Sequence, residues 1–399
     1  MKKNFVFVLT IGVFSILNTE MGIVGILPAI SGQYGVSLTT AGLLVSLFAL
    51  AIAIAGPVMP MLMSRFERKK VMMFVLSLFT IGNITAAFAV NFPMLLAARV
   101  IPAFFHPVYV SFALAAASDS VARESDVPKA VSKVMMGVSA GMVLGAPVAG
   151  LIVNWLDLRM GLLFFAIVNL ISLIATILFV PEFPKAESVS YSTQLGILKE
   201  KKLWLALVGV IFLNGSIFGV YSYVSAYLEE VVSLPVQMIS VVLFVYGLMN
   251  IVGNTIAGKG LSANPNRFIS IQPVVIGAVY LLLLLSAGAS AVLTLPIVFV
   301  WGISAGMVAN TIQYWVTSAA PGAPEFANGL YLTAANLGIS AATPFCGFFI
   351  TGIGTQAAPV GGILLVVCTA ICIYLKVHVM DGRRKVKEYG IDRAKAGGR

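Results

Sequence analysis

Titratable side chains inside apolar segments are the residues of this sequence that could carry chemistry. Of the 15 Asp and Glu residues, only Glu20 falls well inside an apolar run, in the stretch ILNTEMGIVGILP. The bases in a comparable position are Arg99 and His106, which share nearly one face of a helix. Carboxyl and imidazole groups can bind and release protons, and a nearby cation such as Arg99 favours the ionised form of a carboxyl group. The sequence therefore predicts a proton site formed by Glu20, Arg99 and His106.

The composition indicates that the surrounding elements are membrane helices. Hydrophobic residues make up 59% of the 399 residues, charged residues 10%, and the mean hydropathy is +1.00, values unlike those of a water-soluble domain of this size. Apolar runs of about 20 residues, the length that spans a bilayer, recur along the chain. The first is expected to be a span and not a cleaved signal. We predict twelve spans, at 5–28, 40–63, 71–90, 94–117, 131–154, 160–180, 203–228, 237–257, 268–289, 292–318, 327–351 and 358–378.

Within a bilayer, Glu20 needs a group or a process that offsets its charge. A charge at the bilayer centre costs about 2.5–3.5 kcal/mol on insertion scales. One interpretation is a permanent salt bridge to Arg99; the other is a carboxyl group that binds and releases a proton as its exposure, or its distance from Arg99, alternates. Arg99 could instead cap backbone carbonyls. Pro107 frees a carbonyl one turn before it, so His106 is expected to be a hydrogen-bonded core residue, with a proton relay or a substrate contact as the alternative.

Polar and aromatic side chains in other predicted spans could contact a substrate. Amides facing lipid would be costly, so they are expected to face protein or a water-filled cavity. Interhelical hydrogen bonding alone would also explain them. The candidates, together with Glu20 and His106, are Phe105, Tyr109 and Phe112 in the fourth span, and Asn214, Tyr221, Asn250, Asn310, Gln313 and Asn336 in the second half. Such a surface would suit a neutral or weakly cationic amphiphile.

The positions of the cations predict the topology. With the amino terminus inside, all of the 25 Lys and Arg residues except Arg99 and Arg159 fall on the cytoplasmic side. The net charge of +10 is then a membrane-surface asymmetry, so anionic lipid is an expected partner and nucleic acid is not. Both termini are predicted to be cytoplasmic.

An internal repeat divides the chain into two halves. The spacing of Gly141, Gly145, Pro147 and Gly150 in GMVLGAPVAG recurs in GISAATPFCG, which begins at Gly338. The longest polar interruption lies between these two stretches. The sequence therefore predicts an all-α membrane protein with two pseudo-symmetric six-helix lobes, 1–180 and 203–378, joined by a cytoplasmic linker at 181–202 and followed by a basic cytoplasmic tail at 379–399.

These motifs resemble the major facilitator superfamily, and within it the twelve-span drug:proton antiporter branch that includes sugar-efflux and chloramphenicol-efflux proteins. NTEMGIVGILPAIS is similar to that branch's first-helix signature, and Gly137 through Gly150 resembles its fifth-helix antiporter motif. LDLRMGLLFFAI, RVIPAFFHPVYVS and YSYVSAYL are also similar to family segments. The resemblance covers nearly the whole chain and implies a bacterial cytoplasmic-membrane transporter that works by alternating access.

The loop signature between spans two and three matches only in part. PMLMSRFERKK has Arg65 and Arg68 where the family has basic residues, but Ser64 stands in place of the usual aspartate. In the family, that aspartate is thought to stabilise one conformation by contacting the eleventh helix. Glu67 could replace it, or the loop charges could simply bind anionic headgroups.

The resulting expectation is a monomeric, proton-coupled antiporter that exports small organic molecules, with amphiphilic drugs favoured. Sugar or nucleoside efflux and an uncoupled facilitator remain alternatives. An enzyme is not expected, because one membrane carboxylate cannot form an aspartyl dyad and no HExxH, G-x-S-x-G or phosphate-binding loop is present. The 3 Cys residues all lie in predicted spans, so neither a disulfide nor a metal site is expected, and protons are the only expected coupling ion.

Overall fold

The computed structural model describes residues 5–120, 127–182, 198–288, 290–319 and 324–376. In these ranges the secondary structure is helical and no strand is present. Twelve helices are long and apolar enough to cross a membrane, as predicted. Numbered in chain order, the spans are Phe5–Tyr34, Leu38–Ala55, Arg68–Ala87, Phe92–Ala117, Lys133–Trp155, Leu158–Phe179, Lys201–Tyr221, Val236–Ala263, Pro265–Leu285, Ala291–Ala319, Gly329–Ile353 and Thr355–Tyr374.

Several predicted features lie outside the described residues. They include most of the linker, at 183–197, and the whole basic tail at 379–399.

We call the end of the bundle with the connections 35–37, 88–91 and 156–157 the predicted outer end, and the opposite end the predicted inner end.

Breaks in spans 1 and 4 shape the amino-terminal lobe. Span 1 is longer than predicted because a 3₁₀ turn at Ile23–Ile26 lets a new helical segment begin at Leu27, with Pro28 in its first turn. Span 4 is interrupted between Ala103 and His106. Pro102 and Pro107 flank this interruption, and each lacks the N–H that a continuous helix would use. The second segment of span 4 therefore begins at His106.

Span 7 is shorter than predicted. Its α-helix ends at Tyr221, and a short helix Val224–Ala226 and a π-helical turn Tyr227–Val231 follow. Ser233, with φ 58°, then reverses the chain toward span 8. This irregular segment lies at the predicted outer end.

Spans 5 and 11, which carry the repeated motif, pack in matching ways inside their lobes. A Cβ on Gly141 would lie 2.6 Å from Leu17 Cβ of span 1, and one on Gly338 would lie 2.5 Å from the carbonyl oxygen of Ile211 in span 7. Glycine thus allows each pair of backbones to approach closely, which is how helices associate without a hydrophobic driving force between them.

The last glycine of each motif contacts the opposite lobe. Gly150 of span 5 faces the hydroxyl of Ser240 in span 8, and Gly347 of span 11 faces Thr39 at the start of span 2. Spans 5 and 8, and spans 2 and 11, therefore form two equivalent contacts between the lobes. The repeat in the sequence corresponds to a repeat in packing.

Candidate functional site

Glu20 lies at the boundary between the two lobes. It precedes the 3₁₀ turn of span 1, and its side chain is 10% exposed. It lines a narrow cavity with Met21, Val24, Val45, Phe48 and Ala49 of its own lobe and with Phe218, Ser222 and Ile339 of the other lobe. Glu20 is the only carboxylate within the twelve spans, all of whose residues the structure describes. The single membrane carboxylate thus faces the surface between the lobes.

The imidazole of His106 lies against the carboxylate of Glu20. The Nε2 atom of His106 lies 3.1 Å from the Oε2 atom of Glu20, and its side chain is 11% exposed. The imidazole also packs edge-on against Phe48, with 6.4 Å between ring centroids. The break in span 4 places His106 at the first turn of a helix, where it reaches span 1. The structure therefore brings the imidazole of His106 and the carboxylate of Glu20 together.

Arg99 lies deeper in the amino-terminal lobe than His106 and does not make the salt bridge to Glu20 that one interpretation required. Its side chain is 2% exposed, and its Nη2 donates to the backbone carbonyl of Thr19, 3.0 Å away. The guanidinium also lies 5.4 Å from the centroid of the Phe48 ring. Phe48 is therefore in contact with both Arg99 and His106, and Arg99 caps a carbonyl one residue from the carboxylate.

A buried polar cluster surrounds this carbonyl. The hydroxyl of Thr19 accepts hydrogen bonds from the Nδ2 atoms of Asn83 in span 3, at 3.2 Å, and of Asn169 in span 6, at 2.8 Å. Buried amides are stable only when such partners are present. Neither asparagine is among the predicted site residues, although each is a polar residue within an apolar run of the sequence.

A second cavity lies beside the first, on the carboxy-terminal side. Met21 and Phe218 line both cavities. The rings of Tyr221 and Tyr246 stack in its wall, with centroids 4.9 Å apart and planes at 22°. Its lining consists of Met21, Met142, Val143, Asn214, Ile217, Phe218, Tyr221, Tyr246, Gly247, Asn250, Ala305, Val308 and Ala309. The structure thus brings the predicted Asn214, Tyr221 and Asn250 together at one uncharged surface between the lobes.

The other predicted amides occupy different positions. Asn310 is linked to this cavity through Asn254, whose Oδ1 accepts from Asn310 Nδ2 at 2.6 Å. Asn336 is buried and donates to the carbonyl of Leu332 in its own helix, 3.0 Å away. The side chain of Gln313 is exposed.

The span-4 aromatic residues lie within the amino-terminal lobe. Phe105 packs edge-on against Phe74 of span 3, with centroids 5.2 Å apart. Tyr109 is fully buried, and its ring fills the space in front of Gly12 in span 1. Phe112 is 6% exposed and belongs to the same hydrophobic core. The structure places these three side chains in packing positions and not along either cavity.

The lobes are in contact at the predicted outer end. The hydroxyl of Ser225, after span 7, donates to the carbonyl of Val24 in span 1, 2.9 Å away. Thr351 of span 11 and Thr39 of span 2 are joined by their hydroxyls at 3.4 Å. The lobes therefore touch directly at this end of the bundle.

Residues 9–343 match the family model described as Major Facilitator Superfamily. This chain belongs to the major facilitator superfamily. It is 30% identical, over 90% of its length and 91% of the relative's, to the uncharacterized MFS-type transporter YtbD of Bacillus subtilis. It is also 25% identical to the inner membrane transport protein YdhP of Escherichia coli, with coverage of 95% and 97% of the two chains. Identity to a probable sugar efflux transporter of Helicobacter pylori is 27%, with coverage of 88% and 89%.

Solved structures of other transporters share the fold of this major facilitator. A POT family transporter in complex with a thioalcohol-conjugated peptide superimposes with a TM-score of 0.77 at 13% identity, covering 94% of this chain and 97% of the other. A bacterial homologue of the human lysosomal transporter Spinster, in an inward-facing and unoccupied conformation, gives a TM-score of 0.72 at 16% identity, covering 94% and 95%. These likenesses establish the architecture of two six-helix lobes.

The residues of the major facilitator loop signature lie at the predicted inner end. Arg68, at the start of span 3, forms an ion pair with Asp119, just beyond span 4. Glu67 is paired at 3.3 Å with Lys70, one turn further on in span 3, so its ion pair lies within the amino-terminal lobe and not with the eleventh helix. Arg65 is exposed. In this conformation the signature connects elements within the amino-terminal lobe.

Proposed function

We propose that this major facilitator is a proton-coupled antiporter that exports small organic molecules by alternating access. The observation that carries the proposal is the contact between Glu20 and His106 at the boundary between the lobes, 3.1 Å apart. Both side chains can gain or lose a proton, and they lie on different helices. A relative movement of the lobes would change their exposure, which is what a coupling site requires.

The cavities beside Glu20 support a small organic substrate. Met21 and Phe218 border both spaces, so a molecule bound against Tyr221 and Tyr246 would lie close to the carboxylate. Substrate binding and protonation would then influence each other directly. Met21 and Met142 add flexible, polarizable surface that tolerates differently shaped ligands.

Sugar efflux is the second candidate. It is favoured by the similarity to a probable sugar efflux transporter of Helicobacter pylori and by the amides of Asn214 and Asn250 in the cavity wall. Hydroxyl-rich substrates need such hydrogen-bonding groups. The aromatic pair of Tyr221 and Tyr246 serves either substrate class.

We further propose that the chain resides in a bacterial cytoplasmic membrane with both termini in the cytoplasm. The support is the concentration of Lys and Arg at one end of the bundle. Protease removal of terminal tags should occur in inside-out vesicles and not in sealed spheroplasts. Cleavage in spheroplasts would reverse the assignment.

Transport into proteoliposomes tests the coupling. With a pH gradient imposed, the wild-type chain should accumulate neutral aromatic amides, or hexoses if the second candidate is right, and each uptake should be accompanied by proton release. Glu20→Gln should abolish accumulation against a gradient while substrate exchange at equal pH continues, because the exchange needs no proton. Glu67→Gln, which removes a carboxylate of the loop, is the matched control. Gradient-driven accumulation by Glu20→Gln would exclude Glu20 as the coupling group.

A further inference from the structure

The amides around the carboxy-terminal cavity have their donor and acceptor ends fixed by the backbone. Asn310 Nδ2 lies 3.4 Å from the carbonyl oxygen of Gly306 and 2.6 Å from Asn254 Oδ1. A backbone carbonyl can only accept a hydrogen bond, so the NH₂ group of Asn310 must face it. The atom of Asn254 that faces the same NH₂ group must then be its oxygen.

The orientation of the Asn254 amide in turn determines that of the Asn250 amide, one turn earlier in the same helix. With its oxygen directed at Asn310, Asn254 has its NH₂ group free to donate to Asn250 Oδ1, 3.3 Å away. The oxygen of Asn250 is therefore occupied. Its Nδ2 donor has no hydrogen-bond partner in the described part of the chain, and Asn250 lines the cavity.

The amide on the facing helix presents the opposite group. Asn214 Nδ2 donates to the carbonyl oxygen of Ala335 in span 11, 2.8 Å away. By the same reasoning, the atom of Asn214 that this hydrogen bond does not use is its Oδ1. Asn214 also lines the cavity. The cavity thus offers a donor from span 8 and an acceptor from span 7, with the stacked rings of Tyr221 and Tyr246 in the same wall.

We propose that this cavity selects uncharged aromatic molecules that carry a hydrogen-bond acceptor, which Asn250 Nδ2 binds, and a nearby donor, which Asn214 Oδ1 binds. The assignment rests on the proposed export function for its physiological meaning, but the recognition is a property of the cavity alone. None of the residues lining it is charged, so a cationic ligand would lose its hydration with no acidic side chain in the cavity wall to offset the loss. Asn250 is then a specificity-determining residue.

Equilibrium dialysis of the purified full chain in detergent, without a proton gradient, tests the assignment. Three probes share one ring system: N,N-dimethyl-1-naphthamide supplies an acceptor, 1-isopropylnaphthalene supplies neither polar group, and trimethyl(1-naphthyl)ammonium supplies a cation. For each probe the dissociation constant of a variant is divided by that of the wild type, which cancels partition into micelles. Asn250→Leu removes the donor, and Asn266→Leu removes an exposed amide outside the cavity as the matched control.

The amide probe should bind to the wild type, and Asn250→Leu should weaken this binding about fivefold, the effect of one neutral hydrogen bond. Binding of the hydrocarbon probe should not change. Asn250→Asp keeps the acceptor for Asn254 and replaces the free donor with an oxygen. It should therefore weaken binding of the amide probe and strengthen binding of the cationic probe. The proposal would be overturned if Asn250→Leu weakened binding of the amide and hydrocarbon probes equally, or left binding of the amide probe unchanged. It would also be overturned if the wild type did not bind the amide probe, or bound the cationic probe more tightly than the amide. Gradient-driven accumulation retained by Glu20→Gln, with these ratios as expected, would refute the coupling role of Glu20 and leave the assignment of the cavity standing.

Discussion

The hydroxyl of Tyr223 donates a hydrogen bond to the backbone carbonyl oxygen of Thr343, 3.0 Å away, at the predicted outer end. The same hydroxyl fills the space in front of two glycines. A Cβ would lie 2.5 Å from it at Gly42 of span 2, and 2.6 Å from it at Gly347 of span 11. Span 2 belongs to the amino-terminal lobe and spans 7 and 11 to the other, so Tyr223 packs where the two lobes meet.

Gly347→Ala should therefore weaken closure at the predicted outer end. The added methyl would overlap the Tyr223 hydroxyl and would lie 3.1 Å from Thr39 Cγ2, which forces the lobes apart or displaces the tyrosine. Spin labels at Gln33 and Gln356, in a background without the native cysteines, would report a longer or broader distance distribution in nanodiscs.

Gly352→Ala is the control for that experiment, because a Cβ at Gly352 meets no atom within 4 Å. The two variants make the same chemical change on one helix and differ only in what the methyl contacts. Identical distance distributions for Gly347→Ala and wild type would show that this packing does not control closure.

Arg99→Lys should reduce gradient-driven accumulation several-fold while exchange continues. Lysine keeps the charge but lacks the planar guanidinium that contacts the ring of Phe48, which also packs against His106. A buried cation–π contact contributes on the order of 1–2 kcal/mol. The accumulation ratio in proteoliposomes measures the effect, with Arg267→Lys as an exposed control. Wild-type accumulation by Arg99→Lys would limit Arg99 to capping the Thr19 carbonyl.

Thr19→Val should destabilise the amino-terminal lobe. The substitution keeps the shape of the side chain but removes the acceptor shared by Asn83 and Asn169. Leaving a buried donor unsatisfied costs about 1–3 kcal/mol, so the melting temperature in detergent should fall measurably. Thr317→Val, whose hydroxyl bonds only within its own helix, should change it little. Equal melting temperatures for Thr19→Val and this control would mean that the amides find other partners.

Glu229→Gln should make stability less dependent on pH. Partial burial, followed by the neighbouring Glu230, raises the pKa of Glu229 above its ordinary value. The folded state therefore holds this proton more tightly than the unfolded state, and stability falls as pH rises from the ordinary pKa of a glutamate through the raised one. Because the side chain is largely exposed, the variant should show only a small increase in melting temperature at pH 8 and none at pH 4. An increase of equal size at both pH values would rule out ionisation as its cause.

The span pattern and the chemical types of the site residues were readable from the sequence. Twelve apolar runs gave the twelve spans, because each must satisfy its own backbone in lipid. The span ends were less predictable: span 7 ends at Tyr221 and span 8 extends to Ala263. Helix ends depend on packing and caps at the bundle surface, which hydropathy does not record.

The sequence alone determined that Glu20 is an isolated carboxylate in a membrane and that spans 5 and 11 repeat one another, because charge and spacing are properties of the chain itself. Only the tertiary structure decided that Glu20 pairs with His106 while Arg99 reaches the Thr19 carbonyl. It also decided that Tyr109 belongs to the core and that Asn250 lines a cavity. Those assignments depend on how far each helix is rotated and shifted against its neighbours, and such rotations arise from the summed packing of all twelve spans.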